Sequence, residues 1–227
     1  MGRRQDARDR IEQRIVELGR EQLATVGAAE LSVRAIARDL GMVSSAVYRY
    51  VASRDDLLTL LLVDAYTELA DAAAAARAGA GSAWVDQLRA VAQDVRHWAV
   101  GQPARWALLY GSPVPGYHAP AHLTVGPGTR VVGLLFDVVA AGIAAGDVKP
   151  STLRVPSPLA EDFGGIRAEF GFTGDDKAMA RSLLLWSGLV GAVSLEVFGQ
   201  YGADTLTDPA MAFQVQLDLL VDTITRN

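Results

Sequence analysis

With 227 residues, half of them hydrophobic and 21% charged, the chain is too apolar to be disordered and long enough for one large domain or two smaller ones with a sizeable core. It has no cysteine, which excludes disulfides, thiolate metal sites and cysteine nucleophiles and fits a cytoplasmic location. The net charge of −5 argues against a protein that coats nucleic acid, yet residues 1–54 carry +3 and residues 55–227 carry −8, so only the first quarter has the sign a phosphate backbone attracts.

The opening MGRRQDARDR is too polar for the apolar core of a secretory leader. A first helix is predicted from about Gln5 to Val26, with Ile11, Ile15, Leu18 and Leu23 as its apolar stripe and Gly27 as its stop. Arg3 and Arg4 before it fit either a minor-groove arm or a solvated end. Ser32 then stands where an N-cap accepts a backbone N–H, and Val33, Ile36, Ala37 and Leu40 recur at helical spacing up to Gly41. A second short pattern, Ser44 to Tyr50, turns Ala46 or Val47 inward and leaves Ser44, Ser45, Tyr48 and Arg49 outward. Two helices joined by a tight turn containing Gly make a helix-turn-helix, whose second helix enters a major groove.

Ser53-Arg54-Asp55-Asp56 reads as a capping box that starts a long helix through Leu57, Leu61 and Leu69 into the alanine tract 72–76, ending near Gly79. Further helices are expected from Trp84 to Val100 and, opened by Pro103, to Tyr110. Residues 111–128 hold four prolines and read as a long loop. Helices follow from about Thr129 to Ala145, from Ser157 to Phe170, from a capping box at Thr173–Asp176 to about Tyr201, and from Pro209 to the end. No period-2 strand and no repeat is present, so the expected fold is all-α with about nine helices: a three-helix unit carrying the helix-turn-helix, residues 1–54, and a larger helical domain, residues 55–227.

The longest apolar run, Ser182 to Leu195, has 14 residues, short of the roughly 20 that span a bilayer. From Leu183 to Phe198 apolar residues occupy every side, so this helix is expected to be buried all round. It is either a central core helix of one subunit or, with the last helix, half of a four-helix bundle between two subunits. No hydrolase elbow, P-loop, dinucleotide fingerprint or zinc-protease motif occurs, and no cofactor is expected. His118 and His122 have a metal-like spacing, but Pro120 between them breaks a helix and no acidic third ligand is close.

The stretch Ser32-Val33-Arg34-Ala35-Ile36-Ala37, Gly41, and Ala46-Val47-Tyr48-Arg49-Tyr50-Val51-Ala52-Ser53-Arg54-Asp55-Asp56-Leu57 resembles the helix-turn-helix of TetR/AcrR-type transcriptional regulators over about 50 residues. Val43, Val51 and Arg54 depart from its usual Ser or Thr, Phe, and Lys. Trp186-Ser187-Gly188 is similar to the Trp-His-Gly mark of one subgroup of C-terminal domains.

The resemblance implies a homodimer on double-stranded, palindromic operator DNA. In it Arg34, Ser44, Ser45, Tyr48 and Arg49 face the groove, while Ser32, Tyr50 and Arg54 hold phosphates. It implies repression relieved by a small apolar or aromatic effector. Trp98, Trp106, Tyr110, Tyr117, His118, Phe136 and Trp186 are the candidate pocket residues. Leu184, Ser187, Gly188, Gly191, Leu195, Phe213, Leu217 and Leu220 are the candidate dimer contacts. The alternatives are an activator, or a helical interaction module that keeps the scaffold; neither an enzyme nor a membrane partner is expected.

Overall fold

The computed structural model describes residues 2–149 and 151–225, with side chains from residue 6. Ten α-helices follow one another, and no strand occurs among the described residues: α1 (Gly2–Val26), α2 (Val33–Asp39), α3 (Ser44–Val47), α4 (Arg54–Gly79), α5 (Trp84–Gly101), α6 (Pro103–Tyr110), α7 (Ala121–Ala144), α8 (Ser157–Phe170), α9 (Asp176–Val197) and α10 (Pro209–Thr225), with a 3₁₀ turn at Ala28–Glu30. They form two compact units, Met1–Glu68 with Gln102–Gly128, and Leu69–Gly101 with Thr129–Asn227. The chain crosses from one to the other within α4 and α7 and at Gly101–Gln102.

The first unit is built on one apolar cluster. Ile15, Leu18 and Leu23 of α1 meet Val33, Ile36 and Ala37 of α2, Val47 of α3, and Leu57, Leu58 and Leu61 of α4, all buried. Each such leucine or isoleucine contributes about 1.5–3 kcal/mol of burial. Gly19 lets α1 and α4 approach closely, since a Cβ there would lie 2.9 Å from Leu61. Leu108 of α6 and Tyr117 of the following loop pack on the same cluster. The Tyr117 hydroxyl lies 2.9 Å from Thr59 Oγ1, within hydrogen-bond distance.

The second unit packs α5, α8, α9 and α10. Trp84, Leu88, Val91, Val95 and Trp98 make the buried stripe of α5, Leu185, Leu189 and Val193 that of α9, and Phe213, Leu217, Val221 and Ile224 that of α10. A Cβ on Gly188 would meet Leu220 at 2.7 Å, so glycine sets the close crossing of α9 and α10. Arg96 donates to both carboxylate oxygens of Glu196, at 2.7 and 2.5 Å.

Several boundaries differ from the sequence expectation: α1 begins at Gly2 rather than Gln5, so Arg3 and Arg4 lie within it, and α3 ends at Val47 rather than Tyr50. Helix α7 begins at Ala121, not Thr129, so the proline-rich loop shrinks to residues 111–120 and Pro127 lies inside a helix. A proline forbids helical geometry to its predecessor partly through that residue's Cβ, and here the predecessor is Gly126, which has none. Helix α9 is capped by Asp175, which accepts from the Ala178 N–H, rather than from Thr173, and it ends at Val197. Nor is α9 buried on every side: Leu184 and Leu195 are exposed opposite the buried stripe.

Candidate nucleic-acid interface

The surface of α2 and α3 is positioned from below by hydrogen bonds as well as by the apolar cluster. Ser32 Oγ accepts from the Ala35 N–H at 3.3 Å and so caps α2. The Gln22 amide of α1 holds the same residue from both sides, accepting the Ser32 N–H at 3.0 Å and donating to its carbonyl at 3.4 Å. Gly41 takes φ +65, the left-handed conformation that ends α2 and turns the chain toward α3. Val43 precedes α3 with no side-chain cap and is 72% exposed, so Ser44 and Ser45 begin the helix with Ser45 fully on the surface.

Arg34 and Arg49 are exposed, and neither makes a hydrogen bond or ion pair among the described residues. Arg38, one turn beyond Arg34 on α2, is in the same state. The sequence reading missed it, although i, i+4 spacing from Arg34 was the available signal. Tyr48 is exposed, and nearby Ser44 is half-buried. Together these residues supply what a duplex requires, namely guanidinium forks, hydroxyls and a ring with an O–H, with no internal partner to displace.

Two of the expected phosphate contacts are also structural. Tyr50 is half-buried on the cluster with the Arg8 guanidinium 5.8 Å from its ring centre. Arg54 donates at 2.9 Å to the carbonyls of both Ala28 and Ala29, tying the 3₁₀ turn to the start of α4. Below this surface lies a four-charge cluster. Arg20 of α1 makes a two-pronged bond to Asp64 (2.9 and 2.7 Å) and reaches Glu68 at 2.9 Å; Arg105 of α6, 4% exposed, donates to Glu68 at 2.6 Å and Asp64 at 3.1 Å.

Residues 15–61 match the family described as bacterial regulatory proteins, tetR family, and residues 88–220 match the tetracyclin repressor-like C-terminal domain. The chain belongs to the TetR family. It is 62% identical over 222 residues, 97% of its own length and 95% of theirs, to the HTH-type transcriptional regulators Rv1816 of Mycobacterium tuberculosis and Mb1846 of Mycobacterium bovis. Among solved structures, a protein described as regulatory, SCO4313, superposes with a TM-score of 0.77 at 33% identity, covering 96% of this chain and 98% of that one. FadR from Bacillus subtilis, solved with stearoyl-CoA, shares the fold at TM-score 0.66 and 15% identity, covering 93% and 98%. This TetR-family chain is therefore a DNA-binding transcriptional regulator and not an enzyme.

The candidate effector residues fall into both units. In the first, Trp106 and Tyr110 pack with tilted rings, their centres 4.4 Å apart, and Tyr66 meets Tyr110 edge-on at 6.3 Å, while Tyr117 is held by Thr59 and His118 is exposed. Burial raises the Tyr110 phenol above its usual pKa. In the second, Phe136 packs against Phe170 and Phe172, at 5.2 and 5.5 Å, Trp98 is buried on α5 and Trp186 half-buried on α9.

The candidate dimer residues divide as well. Leu184, Ser187 and Leu195 are exposed on α9; Gly188, Gly191 and Leu220 line a groove of about 400 Å³ between α9 and α10; Phe213 and Leu217 lie in the core, away from any surface. The outward residues of α10 are instead Met211, Val215 and Leu219, the last 61% exposed.

Proposed function

We infer that the chain is a repressor that binds a palindromic operator as a homodimer and is released when a small apolar or aromatic effector binds its C-terminal domain. The observation that carries this reading is the α2–α3 surface, where Arg34, Arg38 and Arg49 are exposed next to Ser45 and Tyr48 and have no partner among the described residues. In this reading residues 1–54 read DNA and residues 55–227 bind effector and dimerise. That division of labour cuts across the packing units, since α6 packs with the reading helices.

The exposed Leu184 and Leu195 of α9, with Met211, Val215 and Leu219 of α10, support pairing of two subunits. A helix that is apolar on a face its own chain leaves open gains by covering that face, and two-fold pairing sets two reading heads at a fixed spacing. The stearoyl-CoA in FadR supports room in this fold for a ligand with an apolar part. Cytoplasmic location follows from work on chromosomal DNA.

Selection of bound fragments from genomic DNA, followed by titration at one salt concentration, tests the operator reading. A palindromic sequence bound at least ~10³-fold more tightly than random DNA is the expected result, and equal affinity for both sinks it. Leu219→Asp tests the dimer: sedimentation is expected to give a monomer that has lost operator affinity but keeps its helical content.

A further inference from the structure

At the start of α9 the second unit has a cavity of about 220 Å³ whose walls combine apolar side chains with three cations and one carboxylate, that of Asp175. Ile143 and Val148 form the apolar side; Lys149, Lys177 and Arg181 supply the charge. The first-turn amides of α9 do not make this site, because Asp175 already caps them, its carboxylate accepting the Ala178 N–H at 2.8 Å.

Arg181 is the observation that points to a ligand. It is 8% exposed, and its bonds go only to neutral acceptors, the carbonyls of Lys149 at 2.9 Å and Ile224 at 3.0 Å, both through Nη1. Among the described residues Nε and Nη2 have no partner and Arg181 makes no ion pair. Lys177 and Lys149 likewise donate to carbonyls, those of Ser151 at 2.7 Å and Gly146 at 2.9 Å, and to no carboxylate. Asp176, next in the chain to the cap, is engaged by Arg167.

Other buried or half-buried arginines have a carboxylate at hand: Arg20 and Arg105 with Asp64 and Glu68, Arg96 with Glu196, and Arg54, which also bonds to carbonyls, lies 3.7 Å from Asp55. A guanidinium nine-tenths buried without an anion is costly, and the planar fork it keeps open matches a carboxylate in two-pronged geometry. The apolar wall and the small volume, below that of a drug-sized pocket, fit a compact organic acid rather than an inorganic anion or a long chain.

We propose that this cavity binds a small organic carboxylate, its anionic end held by Arg181 and Lys177 and its apolar end against Ile143 and Val148. The site stands apart from the operator reading, and a preparation that binds no DNA tests it equally well.

The experiment is calorimetric titration of the full-length protein with acetate, butyrate, hexanoate and benzoate, with benzamide and inorganic phosphate as comparators. At least one carboxylate is expected to saturate one site per chain, with benzamide and phosphate showing no saturation. Arg181→Gln removes two carbonyl anchors together with the charge, so Lys177→Gln, which gives up a single bond, is the deciding variant. Its dissociation constant is expected to rise about tenfold, with unchanged thermal unfolding in the absence of ligand. No saturation by any of the four acids below about 10 mM, equal binding of phosphate, or an unchanged constant in Lys177→Gln each overturns the proposal.

Discussion

The arginines of α1 and those of the helix-turn-helix surface differ in one respect that separates folding from function. On α1 the charges are committed within the chain: Arg8 to Glu12, Arg14 to Glu17, and Arg20, together with Arg105, to Asp64 and Glu68. Between residues 32 and 49 Arg34, Arg38 and Arg49 have no partner among the described residues. The contrast teaches that a positive net charge in the first 54 residues is a poor guide by itself, because part of the cationic charge there is committed to carboxylates within the chain and only the uncommitted part is available to phosphate.

The largest effect is expected from the buried side of that contrast. Arg105→Met removes the more deeply buried of the two guanidinium groups that Asp64 and Glu68 share and should lower stability by about 2–4 kcal/mol in urea unfolding, less than for a fully sealed pair because both carboxylates are partly exposed. Arg34→Ala should do the reverse: about 1–3 kcal/mol of operator affinity lost, with relaxed preference at one position, and the urea midpoint unmoved. If Arg34→Ala destabilises the fold as Arg105→Met does, the contrast collapses.

Next in size is the interior phenol. Tyr110 holds its proton in the folded state above the usual value near 10, so unfolding releases a proton at high pH. The contribution of this phenol is therefore flat below pH 10 and falls as pH rises above it toward the folded value, by about 1.4 kcal/mol per pH unit at most, with Tyr66, also raised by burial, acting in the same direction. Tyr110→Phe should remove most of that slope, seen in unfolding curves at pH 9 to 11. Smaller again, Arg38→Ala and Arg49→Ala should each reduce the salt slope of DNA binding by about 0.9 if each touches one phosphate. An unchanged slope removes that residue from the interface. Arg14→Ala, whose pair with Glu17 is fully exposed, should change neither stability nor DNA affinity measurably.

What was legible in the chain was what is local. Ser32 and Ser53 cap helices as their positions suggested, and Gly41 takes the positive φ of a helix end. The pairings that hold the first unit together were not legible, because Gln22 with Ser32, Arg54 with Ala28 and Ala29, and Arg105 with Glu68 join residues that no spacing rule connects. That Tyr117 packs on the core of the first unit was not legible either, because an aromatic in a proline-rich stretch gives no sign of its neighbours. Phe213 and Leu217 were assigned to the dimer face on periodicity alone; the stripe was real but its direction was inward, and the complementary stripe of Met211, Val215 and Leu219 faces out.

The reading unit is discontinuous in the chain, closing only with residues 102–128. On the ribosome, the helix-turn-helix therefore emerges well before Arg105 and Tyr117 exist to cover its core and neutralise Asp64 and Glu68. A nascent chain of about 70 residues would have the recognition helix without the side chains that complete its support, so DNA-binding competence should arrive late in synthesis, after the polypeptide has passed through α5 and returned.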